Sequence, residues 1–483
     1  MNKFFSHILP KTFAGLFLCI GLIPVNTSAD LNLDLPDFNL PDLGDPSISA
    51  LPNSEERDRG LTILRKLRSR GSLIEDPEIN TWIRSLGNRL AARAPQTGNP
   101  FYFVVAKDRS INAFATIGGV VLINAGLIMK TDSESELAAV LSHEIAHVTQ
   151  RHIARMIAKS KEDTLGRSAA VLAGIVASAK NAQVGQALIT GALATGMHKQ
   201  LSFNREAESE ADRVGLRILS STGFNPQGMP LFLKKLERIS DDKYADITEY
   251  LQTHPLPHKR VIDAQLRANK LGRARGKEHI SYQYMREKVR MLTRPESPPS
   301  LKTPPNVKKY ATALKHEKRG HYAQALQLLG QQSRQISEAA LIARVLNKQR
   351  KFQQTIQVLT PLLKIYPANE FLSVLLAEAY AGLNQPQQLQ QAWNTIKKVV
   401  LSEQTSLEFF ELRQRIAHRS GHKAEAYRSA AERNLRMGEY KYAAVQLRQA
   451  IKLPGTNTAQ LHQFQTLLTA VENNLKRSKV AKK

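Results

Sequence analysis

Two histidines and a glutamate near the middle of the chain have the types and spacing of a metal-dependent hydrolase. His143, Glu144 and His147 form an HExxH sequence within residues 134–152, where apolar residues recur at helical spacing without Gly or Pro. Residues four apart share one face of a helix, so both imidazoles can bind one Zn²⁺ per chain. Glu144 can then take a proton from the metal-bound water. The neighbouring strand and helix patterns favour a zinc hydrolase over a chance match.

A second helix should supply the third zinc ligand, because catalytic zinc sites use three protein ligands and keep one position for water. Residues 204–215 carry four carboxylates, of which Glu208 and Asp212 share one face a helical turn apart. We predict that Glu208 binds the metal and that Asp212 orients a zinc-binding histidine. Glu206 and Glu210 lie on the competing face, where pairing with neighbouring arginines in solvent is the plainer interpretation.

A loop stiffened by prolines, residues 253–260, carries cationic side chains. Either His254 or Arg260 could stabilise the oxyanion that forms when water attacks a peptide carbonyl. His254 could instead occupy the open zinc position and keep the enzyme latent. Taken in isolation, the segment also fits an ordinary surface turn.

The elements around these residues predict an α+β domain that is mostly helical. Helical spacing over residues 55–94 is followed by strand patterns at 101–105 and 119–123, and then by the zinc helix and further helices. The second strand could be an exposed edge that binds an extended peptide, or an ordinary core strand. The small-residue segment 168–197 favours a buried helical hairpin, although its glycines would also allow a lid over the site.

The N-terminus has the three parts of a secretory signal. Lys3 and Lys11 are followed by an apolar core at residues 13–23 and by small residues before a predicted cut after Ala29. The chain's single cysteine, Cys19, lies inside this segment, so the mature protein would have no thiol to oxidise. The sequence therefore predicts export to a compartment where oxidation does no harm.

The chain is strongly basic, with a formal net charge of +26 over 483 residues. Such a charge suggests contact with anionic surfaces, such as lipid headgroups or acidic proteins. Nucleic acid is discounted as a partner, because the sequence shows neither a nucleic-acid-binding fold signature nor aromatic residues interleaved with a basic stripe. A solvated charged surface with a basic tail is the plainer interpretation.

Composition divides the chain into six segments. We predict a signal peptide at 1–29, an acidic Pro-rich linker at 30–54, a metallopeptidase domain at 55–290, a Pro-rich linker at 291–308, a repeat domain at 309–475 and a basic tail at 476–483. In the repeat domain, similar turn sequences recur at Gly320, Arg350, Asn384, Gly421 and Gly438. This pattern predicts degenerate tetratricopeptide-like helix pairs. Stacked pairs would form a solenoid that binds peptides or proteins, whereas the alternative is a structural bundle.

These motifs together resemble the HtpX and CAAX-prenyl-protease family of zinc peptidases. The resemblance covers residues 55–275 and is carried by the HExxH sequence, by the ExxxD pattern from Glu208 to Asp212, and by the His254-Pro255 loop with Arg260. It implies a gluzincin domain in which Glu208 is the third zinc ligand and the strand at 119–123 is the substrate edge. The secretion signal and the repeats resemble the periplasmic members of that family, which implies work on outer-membrane proteins at the β-barrel assembly machinery.

We therefore expect a gluzincin-type α+β metallopeptidase domain with a small sheet, followed by an all-α tetratricopeptide-like solenoid. The expected function is that of a periplasmic zinc endopeptidase and chaperone-like factor whose substrates are unfolded or misassembled outer-membrane proteins. The repeats would contact the β-barrel assembly machinery, and the charge would favour an anionic membrane surface. The alternative is a non-proteolytic assembly chaperone with a latent or structural zinc site, although a pure scaffold has no need of Glu144.

Overall fold

The structure is a computed structural model that describes residues 52–160, 197–240, 248–272, 278–299, 302–367 and 369–480. All of these belong to one compact unit that spans Gly44–Lys483. The predicted signal peptide, most of the acidic linker, nearly all of segment 168–197 and the end of the basic tail lie outside the described residues. Those predictions stay predictions.

The first part of the described chain is helical with one small sheet, as the sequence predicts. Its elements are α1 (Asn53–Ser69), α2 (Pro77–Ala91), β1 (Tyr102–Ala106), β2 (Ala113–Ala115), a 3-10 turn (Ile117–Gly119), β3 (Val120–Asn124), α3 (Ala125–Lys130), α4 (Glu134–Thr149), α5 (His152–Ser160), α6 (Met197–Ser221), α7 (Gly228–Ser240), α8 (Thr248–Thr253), α9 (His258–Leu271) and α10 (Ile280–Thr293).

The second part is helical throughout its described residues. Its elements are α11 (Pro305–Lys318), α12 (Tyr322–Leu329), α13 (Ile336–Lys348), α14 (Phe352–Ile365), α15 (Glu370–Leu383), α16 (Pro386–Ile396), α17 (Leu407–Arg419), α18 (Lys423–Arg436), α19 (Tyr440–Lys452) and α20 (Thr458–Val480). The five predicted turns all lie between helices, and each contains a residue with positive φ. The predicted fold class, a mostly helical α+β part followed by helices alone, is confirmed.

The sheet has three strands in the order β1-β3-β2, so β3 is the central strand. It pairs in parallel with β1 and antiparallel with β2, and all five of its residues are buried. The prediction that residues 119–123 form the substrate edge is therefore wrong. A continuous apolar run is typical of a strand that is covered on both sides, and here that run is central. The edge strand near the HExxH helix is β2.

Helix α4 carries the HExxH sequence and begins at a well-capped N-terminus. The Ser133 hydroxyl accepts a hydrogen bond from the backbone N–H of Glu136 (3.1 Å), and the Glu136 carboxylate accepts one from the backbone N–H of Asp132 (2.9 Å). The carboxylate of Glu278 accepts from the N–H groups of Glu134 and Ser135, at 2.7 and 3.2 Å. The first N–H groups of a helix have no partner within the helix, and these contacts supply partners for them. They therefore hold the N-terminal turn of α4 in place.

Helix α4 runs through the core and packs closely against α6. All its residues from Glu134 to Ala146 are buried. A Cβ added at Gly215 on α6 would lie 3.1 Å from the backbone N and Cα atoms of His143. Glycine therefore allows the two helices to approach at the point where the HExxH and ExxxD sequences face each other.

The C-terminal helices pack directly on the part that contains the sheet, through the segment before α17. The side-chain amide of Gln404 donates a hydrogen bond to the backbone carbonyl of Phe103 in β1 (2.6 Å). Arg68 donates to the carbonyl of Glu403 (3.1 Å), and the guanidinium of Arg84 lies 2.7 Å from the Glu370 carboxylate. Residues from both parts also share one hydrophobic core. None of the helices in the described ranges combines the length and apolar character of a membrane span.

A candidate metal centre

Four side chains meet at one buried point between α4, α6 and the loop after α8. The ligand atoms of His143, His147, Glu208 and His254 all lie within 4.8 Å of one another, an arrangement that could hold a metal ion. His147 is partly buried and the other three are buried. The structure thus brings together the three residues predicted from the sequence as zinc ligands, and it adds His254 to them.

The two histidines of the HExxH sequence point the same ring nitrogen at the centre. Their Nε2 atoms lie 3.0 Å apart, and the Glu208 carboxylate lies 3.4 Å from His143 Nε2 and 3.2 Å from His147 Nε2. His254 places Nδ1 2.9 Å from the same carboxylate. Imidazole nitrogens and a carboxylate oxygen converging on one point are a donor set that suits a divalent metal ion.

Asp212 fixes the first of these histidines. Its Oδ1 lies 3.0 Å from His143 Nδ1, and an ionised carboxylate can only accept a hydrogen bond. His143 therefore carries its proton on Nδ1 and keeps the Nε2 lone pair for a metal. Burial opposes the ionisation of Asp212, but Arg260 and His143 outweigh it and hold the pKa of this carboxyl below its usual value. As predicted, Asp212 lies next to a histidine of the cluster.

Arg260 binds two carboxylates of the site. Its Nε and Nη2 donate to Asp212 Oδ2 and Oδ1 (2.8 and 2.9 Å), and Nη1 donates to the carbonyl of Pro255 (2.7 Å) and lies 2.6 Å from Glu208 Oε2. Arg260 thereby ties α6 to the loop that carries His254. The predicted role of Arg260 in stabilising an oxyanion stays a prediction.

Glu144 lies beside the cluster and is held by the edge strand. Its Oε2 accepts a hydrogen bond from the backbone N–H of Ala115 in β2 (2.9 Å), and its Oε1 lies 3.5 Å from His254 Nε2. The side chain is only 1% exposed. Burial raises the pKa of Glu144, although His254 and His143 lower it in part. A carboxylate with a raised pKa is suited to general base chemistry close to neutral pH.

Sequence reasoning missed His152, which contacts the cluster from its other side. His152 Nδ1 lies 2.8 Å from His147 Nδ1, and His152 Nε2 lies 3.0 Å from Glu210 Oε2. Glu210 also lies 3.0 Å from Nη1 of Arg155, so the prediction that it pairs in solvent with Arg205 and Arg213 is wrong. The sequence offered no signal for this contact, because it depends on Arg151, whose φ of 52° turns the chain back between α4 and α5.

The comparisons with known proteins agree with this site. A family profile described as peptidase family M48 matches residues 77–268, a range that contains every residue of the cluster. The β-barrel assembly-enhancing protease of Yersinia pestis is 34% identical over 367 residues, which cover 75% of this chain and 70% of that protein.

Two further relatives match shorter stretches. The β-barrel assembly-enhancing protease of Escherichia coli (strain K12) is 40% identical over 233 residues, which cover 48% of this chain and 47% of that protein. The mitochondrial metalloendopeptidase OMA1 of Arabidopsis thaliana is 30% identical over 170 residues, with 35% and 32% covered. The match thus spans about half the length of the Escherichia coli relative.

Proposed function

This chain belongs to peptidase family M48, and from that premise we propose that it is a zinc-dependent endopeptidase acting on outer-membrane proteins. The observation that carries the proposal is the position of Glu144, a buried carboxylate directly beside a cluster of two HExxH histidines and Glu208. A site that only stabilised the fold would not need a carboxylate that is held next to the ligands without being one of them.

We propose His143, His147 and Glu208 as the zinc ligands. Their nitrogen and oxygen donors are those that zinc takes in hydrolases. When bound, zinc would supply an activated water with a lowered pKa and would polarise the carbonyl of the peptide bond. Asp212 would orient His143. Arg260 would hold both Asp212 and the loop that carries His254 in place.

Glu144 would act as the general base and acid. The Ala115 N–H group occupies one of its oxygens and leaves Oε1 on the side of His254 and the cluster. From there it can accept a proton from the attacking water and pass that proton to the leaving amine. His254, with Nε2 3.5 Å from Glu144, is the residue that could stabilise the developing oxyanion once the loop shifts.

The peptide substrate would bind along β2. The ladder with β3 uses the N–H group of Thr116 and the carbonyl of Asn112, so the N–H groups of Ala113 and Ala115 face the opposite edge. The N–H of Ala115 is already bonded to Glu144 there, which leaves that of Ala113 for a peptide. No other strand covers that edge among the described residues. An extended peptide paired there would lie next to Glu144 and would be held mainly through its backbone, with little sequence preference.

His254 would also restrain the enzyme. With Nδ1 2.9 Å from Glu208 and 3.4 Å from His143 Nε2, it lies where the water of an active site belongs. The same observation favours the second candidate function, a non-proteolytic assembly chaperone, because four protein ligands close a site as in structural zinc centres. The two candidates differ in whether removing His254 opens the site to chemistry.

The setting proposed for this chain follows its relatives' names and its own sequence. We propose export to the periplasm by a cleavable signal at residues 1–29, and a metallopeptidase domain at 55–290 joined to tetratricopeptide-like repeats at 309–475. The substrates would be unfolded or misassembled outer-membrane proteins, and the repeats would contact the β-barrel assembly machinery. Loss of Lys3 and Lys11 with the signal would lower the net charge from +26 to +24, which would still favour a nearby anionic membrane surface.

The decisive experiment follows cleavage of an unfolded outer-membrane protein by the zinc-loaded full chain, beside Glu144→Gln and His254→Ala. We expect Glu144→Gln to retain zinc and lose cleavage. We expect His254→Ala to cleave faster than the unchanged chain, because opening the fourth metal position outweighs the loss of an oxyanion donor. Full cleavage by Glu144→Gln would contradict the mechanism. If the client binds to all three proteins and none of them cleaves it, the chaperone function replaces the peptidase.

A further inference from the structure

Among the described residues, no carboxylate contacts Nδ1 of the second HExxH histidine, unlike Nδ1 of the first. Asp212 contacts Nδ1 of His143 directly, whereas Nδ1 of His147 meets another imidazole, that of His152, at 2.8 Å. The two rings stand almost edge to face, with centroids 4.8 Å apart and an interplanar angle of 77°. His152 is only 5% exposed, so solvent does not replace this contact.

A carboxylate contacts His152 on the side of its ring that faces away from His147. His152 Nε2 lies 3.0 Å from Glu210 Oε2, and the Arg155 guanidinium lies 3.0 Å from the same oxygen. Glu210 stands on α6 two positions after Glu208, so the helix that carries the proposed third ligand also carries this carboxylate. The contacts run from α6 through His152 to α4 and close a ring around the metal centre.

The donor and acceptor roles along these contacts follow from the chemistry of the groups. The Glu210 carboxylate can only accept, so His152 carries a proton on Nε2 and, as a neutral imidazole, keeps a lone pair on Nδ1. Two lone pairs cannot face each other at 2.8 Å, so His147 must hold its own proton on Nδ1. The lone pair of His147 is then on Nε2, the atom that lies 3.0 Å from His143 Nε2.

We infer that His152, held by Glu210, is a positioning residue that sets the tautomer and ring orientation of His147 for metal binding. The inference rests on the proposed zinc site and deepens it. Outer partners of metal-binding histidines both orient the ring and increase its basicity. Here one histidine receives this support directly from Asp212, and the other receives it through a second imidazole.

The test measures zinc affinity of the full-length protein by competition with a chromogenic chelator. We expect His152→Leu, which removes the acceptor at similar volume, to bind zinc about 10- to 100-fold more weakly. At saturating zinc, kcat should fall while KM stays unchanged, because the substrate edge is not touched. His152→Gln offers an amide oxygen to His147 and should recover part of both losses.

The exposed pair of His258 and Glu237, at 2.7 Å, is the matched control. His258→Leu removes a His–carboxylate contact of the same kind outside the cluster, and its zinc affinity should equal that of the unchanged chain. Zinc affinity of His152→Leu within twofold of the unchanged chain would overturn the inference.

A second variant keeps the test sharp if His152→Leu folds poorly. Glu210→Ala should weaken zinc binding less than His152→Leu, and combining the two should add no further loss, since Glu210 acts through His152. Additive losses would refute that relay. His143→Leu tests the site itself: if it binds zinc as well as the unchanged chain does, the proposed zinc centre is wrong, whatever His152 does.

Discussion

Ala115 donates its backbone N–H to Oε2 of Glu144 over 2.9 Å, so the edge strand of the sheet and the proposed general base form one unit. A substrate that pairs with β2 would therefore be aligned by the same strand that holds the carboxylate. This contact links peptide binding to proton transfer without any intervening side chain.

The variant Ala115→Pro removes that N–H. The strand should survive, because the lost donor faces the open edge and proline is tolerated on edge strands. We expect kcat to fall about 10- to 100-fold through misplacement of Glu144, with zinc still bound. Steady-state kinetics on an unfolded outer-membrane protein, together with a zinc assay, would measure this.

Ala113→Pro is the control for this change, since it removes an N–H from the same open edge without touching Glu144. It should raise KM and leave kcat nearly unchanged. If both proline variants reduced kcat alike, the contact between Ala115 and Glu144 would have no special part in the reaction.

Asp212 joins His143 to Arg260, and removing its charge should weaken both the metal site and the fold. In Asp212→Asn, the buried Arg260 keeps Glu208 as its one anionic partner among the described residues. We expect a loss of about 3–5 kcal/mol in the free energy of unfolding, the usual result of breaking a buried ion pair, and at least about tenfold weaker zinc binding. Denaturant unfolding and chelator competition would measure these effects.

Glu206→Gln provides the comparison on the same helix. Glu206 is exposed, so its replacement should change neither the stability nor the zinc affinity. Equal effects of the two substitutions would show that general charge on α6, rather than the contact of Asp212 with His143, sets metal binding.

Gln404 should contribute to the attachment of the C-terminal helices to the sheet. Its replacement by alanine leaves the carbonyl of Phe103 without its 2.6 Å side-chain donor. We expect about 1–3 kcal/mol lower free energy of unfolding, the range for a buried polar group that loses its partner. Gln385→Ala, at an exposed position in another inter-helix turn, should cost almost nothing in the same denaturant titration. A similar loss in both variants would show that the attachment of the C-terminal helices does not depend on this contact.

The sequence predicts those parts of the site that depend on helical spacing alone. His143 and His147 share a face of α4, and Glu208 and Asp212 share a face of α6, because residues four apart do so on any helix. Contacts between side chains on different elements cannot be predicted from this spacing. The link from His147 to His152 depends on the chain reversal at a single residue, Arg151, and on the approach of α6.

The edge strand of the sheet could not be predicted from the sequence either. Strand β2 has only three residues, Ala113–Ala115, too few to show an alternating pattern, whereas the apolar run of β3 is conspicuous. The family resemblance implies that the longer run is the substrate edge, although its lack of polar residues indicates a central strand. The docking of Gln404 on Phe103 joins residues 301 positions apart, and no local pattern encodes it.

Lys288 should control how the protein responds to acid. Its ammonium lies 2.7 Å from Asp76 and 2.6 Å from Glu78, with only 2% of the side chain exposed. Burial raises the pKa of Asp76, but Lys288 and Arg344 outweigh it and keep that pKa below its usual value. Asp76 therefore adds stability above its unfolded-state pKa, and that stability is lost as the pH falls through the folded-state pKa.

In Lys288→Met the pKa of Asp76 should rise, so acid unfolding should begin at higher pH. Arg448→Met, which removes the partner of Glu472 in an exposed pair, should leave the midpoint of acid unfolding unchanged. An unchanged acid midpoint in Lys288→Met would mean that Asp76 owes its low pKa to other groups.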